Sequence, residues 1–213
     1  MVSLYIADIG SLPDPKDEPK VLEGLSLERR DKINRQQKLQ KRKQSLGAGL
    51  LIKEVLAQKG INEDAVTKDV HGKPQVEGLH FNLSHTGNIV VCAIAEAPVG
   101  CDVESVRTAP DGVAEHFFCK NERNYLEQFE GERYDEEFYR IWTLKESYVK
   151  MTGEGMALTR GVYELVLNED VKVLRAGKVQ SCRFVEYKTK GCRIAVCSGD
   201  VKFSPNVIEI VLN

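Results

Sequence analysis

The stretch LHFNLSHTGNIVVCAIAEAPVGCDVESV, residues 79–106, decides the fold. LHFNLS and IVVCAIA read as two strands joined by the short turn HTGN, a β-hairpin, and VGCDVESV reads as a third strand. Upstream, VSLYIADI is a strand, and LPDPKDEPK is a polar loop with three prolines. Ser26 is an N-cap candidate for a long helix beginning LERRDKI. The helical pattern resumes in LGAGLLIKEVLAQKG and stops at Gly60, a C-cap candidate. Downstream, residues 115–137 read as helical and acidic, and EEFYRIWTLKESYVKM is the most clearly periodic helix. GVYELVL, VKVLRA, SCRFVEY, CRIAVCSG and VIEIVL then read as a meander of strands. Helices and strands fall into separate blocks, which predicts an α+β protein with a mostly antiparallel sheet.

The chain has 213 residues, enough for one large domain or two small ones. Its net charge of −2 argues against binding nucleic acid over the whole surface. Asp8 interrupts the first apolar run and no basic residue precedes it, the reverse of an export signal. No run approaches the roughly 20 apolar residues of a spanning helix. The expectation is a cytoplasmic protein with no membrane partner. Six cysteines, at 92, 101, 119, 182, 192 and 197, form no C-x-x-C pair and no zinc spacing, so they read as buried reduced thiols.

Several residues suggest chemistry. On a strand, Asp102 and Glu104 share one face, with Cys101 and Val103 on the other. Two carboxylates on one face are either solvated or held by a hard cation such as Mg²⁺. In FYRIWTLKESYVKMTGEGM (138–156), Trp142, Glu146 and Lys150 are four residues apart and share a helix face. Trp142 is the only tryptophan and is expected to point inward. Glu146 and Lys150 would then lie beside the buried face, on a cleft wall. Ser84 and His85 stand at a strand end entering a turn, and Lys73 lies in the loop HGKP. Between Arg29 and Lys43 there are eight basic residues and one acid, either a solvated face or a grip on phosphate.

The ordered set GKP, FNLSHTG, GCDVE and WTLKESYVKMTGEGM resembles the 4′-phosphopantetheinyl transferases of the Sfp type, over residues 71–156 and in the spacing between motifs. LSLERRDKI resembles that family's N-terminal segment. The resemblance implies transfer of the 4′-phosphopantetheine arm of coenzyme A to a serine of an apo acyl or peptidyl carrier protein, releasing adenosine 3′,5′-bisphosphate. It implies Mg²⁺ held by Asp102, Glu104 and Glu146. It implies coenzyme A contacts from Arg29, Lys32, Arg42, Lys43, Ser45, Lys73, Ser84, His85, Asp102 and Lys150. Glu146, Lys150 and His85 would be the catalytic groups. It also implies a monomer of two similar α/β halves, 1–98 and 99–213, about a pseudo-twofold axis. The rival expectations are a Mg²⁺-dependent phosphoesterase or nuclease, and a nucleic-acid-binding protein using the basic helix.

Overall fold

The computed structural model describes residues 1–62, 65–68, 74–155, 162–200 and 202–212. Strand β1 (Val2–Asp8) is followed by a 3-10 turn (Pro19–Leu22), α1 (Leu27–Asn34) and α2 (Leu39–Ala57). Two short strands, β2 (Thr67–Lys68) and β3 (Pro74–Gln75), precede the hairpin of β4 (His80–Thr86) and β5 (Ile89–Ala95). Next come β6 (Val99–Ser105), α3 (Val113–Phe117), α4 (Lys120–Leu126) and α5 (Gly131–Thr152). The remaining strands are β7 (Tyr163–Val166), β8 (Lys172–Arg175), β9 (Lys178–Val179), β10 (Arg183–Thr189), β11 (Cys192–Ser198) and β12 (Phe203–Glu209).

The class is α+β, as expected. One sheet has the order β12-β1-β5-β4 and another β10-β11-β6, with two small sheets, β2-β3 and β7-β8-β9. Strand β12 runs parallel to β1, and the other ladders between named strands are antiparallel. The expected C-terminal meander is thus divided among three sheets. In each larger sheet the strand that precedes a long helix lies beside the second strand of a later hairpin: β1 beside β5, and β6 beside β11.

The unbroken apolar run of β5 follows from burial on both faces. Val90, Cys92 and Ile94 pack into a core with Leu51, Ile52, Val55 and Leu56 of α2. Val91, Ala93 and Ala95 join Leu4 and Ile6 of β1, Val99, Cys101 and Val103 of β6, and Ile194 and Val196 of β11 in a core between the sheets. A third core joins Phe138, Ile141, Leu144 and Val149 of α5 to Ala195 and Cys197 of β11. Each fully buried aliphatic side chain contributes about 1.5–3 kcal/mol. All six cysteines are free, four of them buried.

Ser26 caps α1 by accepting from the Arg29 amide at 3.4 Å. The single long helix expected there is two helices. Between them the Arg42 guanidinium takes the carbonyls of Gln36 and Gln37 (3.2 and 2.6 Å) and pairs with Asp14. Gly60 sits just past α2 at φ +71°, where the amide of Ile61 donates to Leu56 and that of Gly60 to Ala57, a Schellman turn. The acidic run 115–137 is likewise broken into α3, α4 and the start of α5. Glu122 reaches back to the Cys119 amide at 2.7 Å and opens α4 there. Among the described residues no helix is long and apolar enough to cross a membrane.

Candidate active site

The site is organised by β4, whose two faces serve different groups. Asn82, Ser84 and Thr86 alternate along it and stitch it to β6 by side-chain bonds. The Cys101 amide donates to Asn82 Oδ1 at 2.9 Å, Ser84 Oγ donates to Asp102 Oδ1 at 2.8 Å, and Thr86 Oγ1 donates to Glu104 Oε2 at 3.3 Å. Phe81, Leu83 and His85, from the alternate positions, line a cleft of about 350 Å³ against α1 and α2, which Asn82 also borders.

On the β6 side, Lys150 Nζ stands 2.6 Å from Asp102 Oδ1 and 3.1 Å from Ser84 Oγ. That approach depends on Gly100. A Cβ there would lie 2.1 Å from the Ser147 carbonyl oxygen and 2.3 Å from the Met151 amide nitrogen, so only glycine lets β6 press against the backbone of α5. Asp102 is 3% exposed, and its Oδ2 has no hydrogen-bond partner among the described residues. Burial, and next the Asp102 charge, push the Glu104 carboxyl up to about 6, against the pull of Thr86, Arg107 and Lys150. Glu146 is raised by burial and by Asp102, with Lys150 opposing. Burial pulls the Lys150 ammonium down, but Asp102, with Cys101 and Glu146, outweighs it and the net direction is up. Glu104 and Glu146 therefore each feel both Asp102 and Lys150.

On the other side, the cleft is basic. Arg29, Lys32 and Gln36, spaced i, i+3, i+7, come from α1 and the turn after it, while Lys41, Ser45 and Ala48 (i, i+4, i+7) come from α2. His85 closes it and is held below its ordinary pKa by burial, then by Lys41, with Lys150 and Lys32 adding to the push. His85 thus feels lysines of both charge groups, which disfavour its imidazolium form. Ser45 Oγ is buried and unpartnered among the described residues.

A sequence profile of the 4′-phosphopantetheinyl transferase superfamily matches residues 98–197, from the start of β6 to the end of β11. The segment carries Asp102, Glu104, Glu146 and Lys150. Over 92% of this chain and 91% of its own length, a 4′-phosphopantetheinyl transferase, ffp, of Bacillus subtilis is 28% identical. The chain is similar to 4′-phosphopantetheinyl transferases over nearly its whole length. The 4′-phosphopantetheinyl transferase Sfp of Bacillus subtilis (strain 168) is 26% identical over the same shares of both chains. The gsp transferase of Aneurinibacillus migulanus reaches 37% over 61% of this chain and 56% of its own. On these similarities the protein is an enzyme, a phosphopantetheinyl transferase.

Within this transferase the expected site residues fall into three places. Asp102, Lys150 and Ser84 meet directly, with Glu104 and Glu146 close enough to share their field. Arg29, Lys32, Ser45 and His85 line the basic cleft. Arg42 and Lys43 stand apart from both. Arg42 is 6% exposed, bound to Asp14 and to the carbonyls between α1 and α2, and it holds Asp14 down to about 2 through its hydrogen bonds. Lys43 donates to the Gly10 carbonyl at 2.7 Å. Neither lines the cleft. Lys73 lies outside the described residues.

Lys41 and Gln36 line the cleft without having been singled out by motif. The signal was present, because each continues a helical stripe that begins at an expected residue. Trp142 is only half-buried: it stacks on Phe138 at 6.3 Å and meets Phe117 edge-on at 5.5 Å. It shares its intermediate exposure with Glu146 and Lys150, so the stripe is the edge of the helix face and not its centre.

The centre is held by Lys145, 2% exposed. Its ammonium lies 2.9 Å from both oxygens of Glu122 and 4.5 Å from the Tyr163 ring centroid. Glu122 also accepts from the Leu165 amide at 2.7 Å. Lys145→Ala should cost about 3–5 kcal/mol, because it leaves an uncompensated charge in the core. Urea denaturation would measure this, and a loss under 1 kcal/mol would mean that the pair is not desolvated.

Proposed function

We propose that the protein transfers the 4′-phosphopantetheine arm of coenzyme A to a serine of an apo acyl or peptidyl carrier protein, with release of adenosine 3′,5′-bisphosphate. The observation that carries this reading is the placement of two neighbouring residues on opposite faces of β4. His85 faces a basic cleft suited to the phosphates of a nucleotide, and Ser84 touches the Asp102–Lys150 pair suited to its pyrophosphate. Arg29, Lys32 and Lys41 supply cations for the 3′-phosphate end, and Ser45 supplies a buried hydroxyl. Lys73 is assigned to the same ligand by its motif. Two halves, 1–98 and 99–213, about a pseudo-twofold axis are part of the reading. Their support is the shared strand order of the two larger sheets. A cytoplasmic monomer is the expected state.

Mg²⁺ belongs to the reading, held by Asp102 and Glu104 with Glu146. Among the described residues no three His, Cys, Asp or Glu side chains form a ready metal cage. The fit is that of a cation held by one or two carboxylates and completed by substrate oxygens. The unpartnered, buried Oδ2 of Asp102 and the raised Glu104 support it. When bound, the cation neutralises the pyrophosphate and stabilises the leaving oxygen's charge.

The chain's own groups then have defined tasks. The carrier serine oxygen attacks the phosphorus that bears pantetheine, a P–O bond to that serine forms, and the bond to the leaving phosphate breaks. Glu146, raised by burial, accepts the serine proton. Lys150 and His85 donate to the phosphate oxygens as charge develops. Ser84 holds Asp102 in register with Lys150.

Incubating the protein with coenzyme A, Mg²⁺ and a panel of apo carriers, read by intact mass, tests the function. Hydrolysis of coenzyme A with no carrier modified would favour a phosphoesterase instead. Glu146→Gln should lower kcat by roughly 10²-fold or more with little change in melting temperature. If Arg29 and Lys32 grip the 3′-phosphate, dephospho-coenzyme A should be a poorer substrate for the wild type. The Arg29→Ala/Lys32→Ala double variant should narrow that gap, measured as the ratio of kcat/KM values. An unchanged ratio places the 3′-phosphate elsewhere.

A further inference from the structure

The Asp102 carboxylate is used asymmetrically. Oδ1 is doubly committed, to Lys150 Nζ at 2.6 Å and to Ser84 Oγ at 2.8 Å, while the buried Oδ2 is unpartnered among the described residues. Lys150 is anchored at its backbone. It projects from the part of α5 whose backbone is in contact with Gly100 of β6, two residues before Asp102. A divalent cation arriving at Oδ2 therefore meets a fixed positive charge on the far side of the same carboxylate.

We propose that Lys150 is the internal counter-ion of Asp102 and keeps the cation affinity of the ligand-free enzyme low, so that the cation is held tightly only together with a pyrophosphate. The inference rests on the proposed metal role of Asp102. In the free protein the ammonium neutralises Asp102 and repels the cation. When a pyrophosphate lies against the site, its oxygens take up the ammonium's charge and complete the cation's shell. The two ligands then raise each other's affinity, and linkage requires that the effect be reciprocal. The site is thereby kept from filling with a bare cation, which would hold the carboxylates without substrate.

Mn²⁺ binding, read from the electron paramagnetic resonance signal of the free aquo ion, tests this without turnover, since no carrier is present. The proteins are wild type, Lys150→Met, Lys150→Gln, Lys150→Arg and Asp102→Asn, each with and without coenzyme A, and each checked by circular dichroism. Without coenzyme A, Lys150→Met and Lys150→Gln should bind Mn²⁺ about tenfold or more tighter than wild type, the scale of repulsion between charges a few ångström apart near a surface. Lys150→Arg keeps the charge and should bind as weakly as wild type. Coenzyme A should tighten Mn²⁺ binding strongly in wild type and much less in the two neutral variants. If the neutral variants bind free Mn²⁺ no tighter than wild type, while Asp102→Asn loses binding, the counter-ion inference is wrong and the metal assignment stands. If Asp102→Asn binds Mn²⁺ as well as wild type with coenzyme A present, the metal lies elsewhere and both fall.

Discussion

Asp102→Asn should reduce transfer by about 10³-fold or more, the several kcal/mol that a correctly held cation contributes to a phosphoryl transition state. Asparagine keeps the shape and leaves an oxygen for Ser84 and Lys150, so the fold should survive with a modest fall in melting temperature. The charge is what is lost. Asp102 touches Lys150 directly and also enters the raised pKa values of Glu104 and Glu146. Its removal should lower both of those pKa values, a shift that carboxylate NMR would register. Intact-mass assays of carrier loading give the rate. Near-wild-type activity in a folded Asp102→Asn protein would remove the metal assignment.

Gly100→Ala should be the most damaging alanine substitution among the described glycines. The added carbon would sit 2.1 Å from one backbone atom of α5 and 2.3 Å from another, and neither can rotate away. Helix and strand must separate, which opens the core between them. A cost above about 4 kcal/mol is expected, well beyond ordinary overpacking, against a typical domain stability of ~5–15 kcal/mol. Gly199→Ala is the control: its new carbon would meet only the Cβ of Ala97, at 3.8 Å, an ordinary contact. Thermal melts of the two variants should differ widely. Similar melts would mean that α5 can slide on β6 without loss.

The site's acids were legible because strand alternation is a rigid rule. Once VGCDVES is a strand, Asp102 and Glu104 must share a face, and they do. β5 was legible because a strand buried on both sides has no polar positions. The break between α1 and α2 was not. RQQK contains no glycine or proline, and the helix stops there because Arg42, four residues further on, draws the carbonyls of Gln36 and Gln37 toward Asp14. The same contact explains why Arg42, basic and within the expected segment, does not line the cleft. Lys145 was equally opaque. A lysine beside a glutamate reads as a surface pair, and only the arrival of Glu122, 23 positions away, makes it a core residue. Trp142 misled in the other direction, since size alone suggested full burial. Local rules read the strands and their faces; partners remote in sequence decided the rest.

The division of labour along β4 sets how this protein can be altered. Its odd-numbered side chains from Phe81 to His85 meet the cleft, and its even-numbered ones from Asn82 to Thr86 fasten the strand to β6. One inserted or deleted residue between His80 and Thr86 would exchange the two sets, putting an imidazole into the seam and a hydroxyl into the basic cleft. Natural or engineered length changes are therefore confined to the Gly87–Asn88 turn or must come in twos. Recutting the cleft means replacing alternate residues only, as one changes every second tooth of a comb.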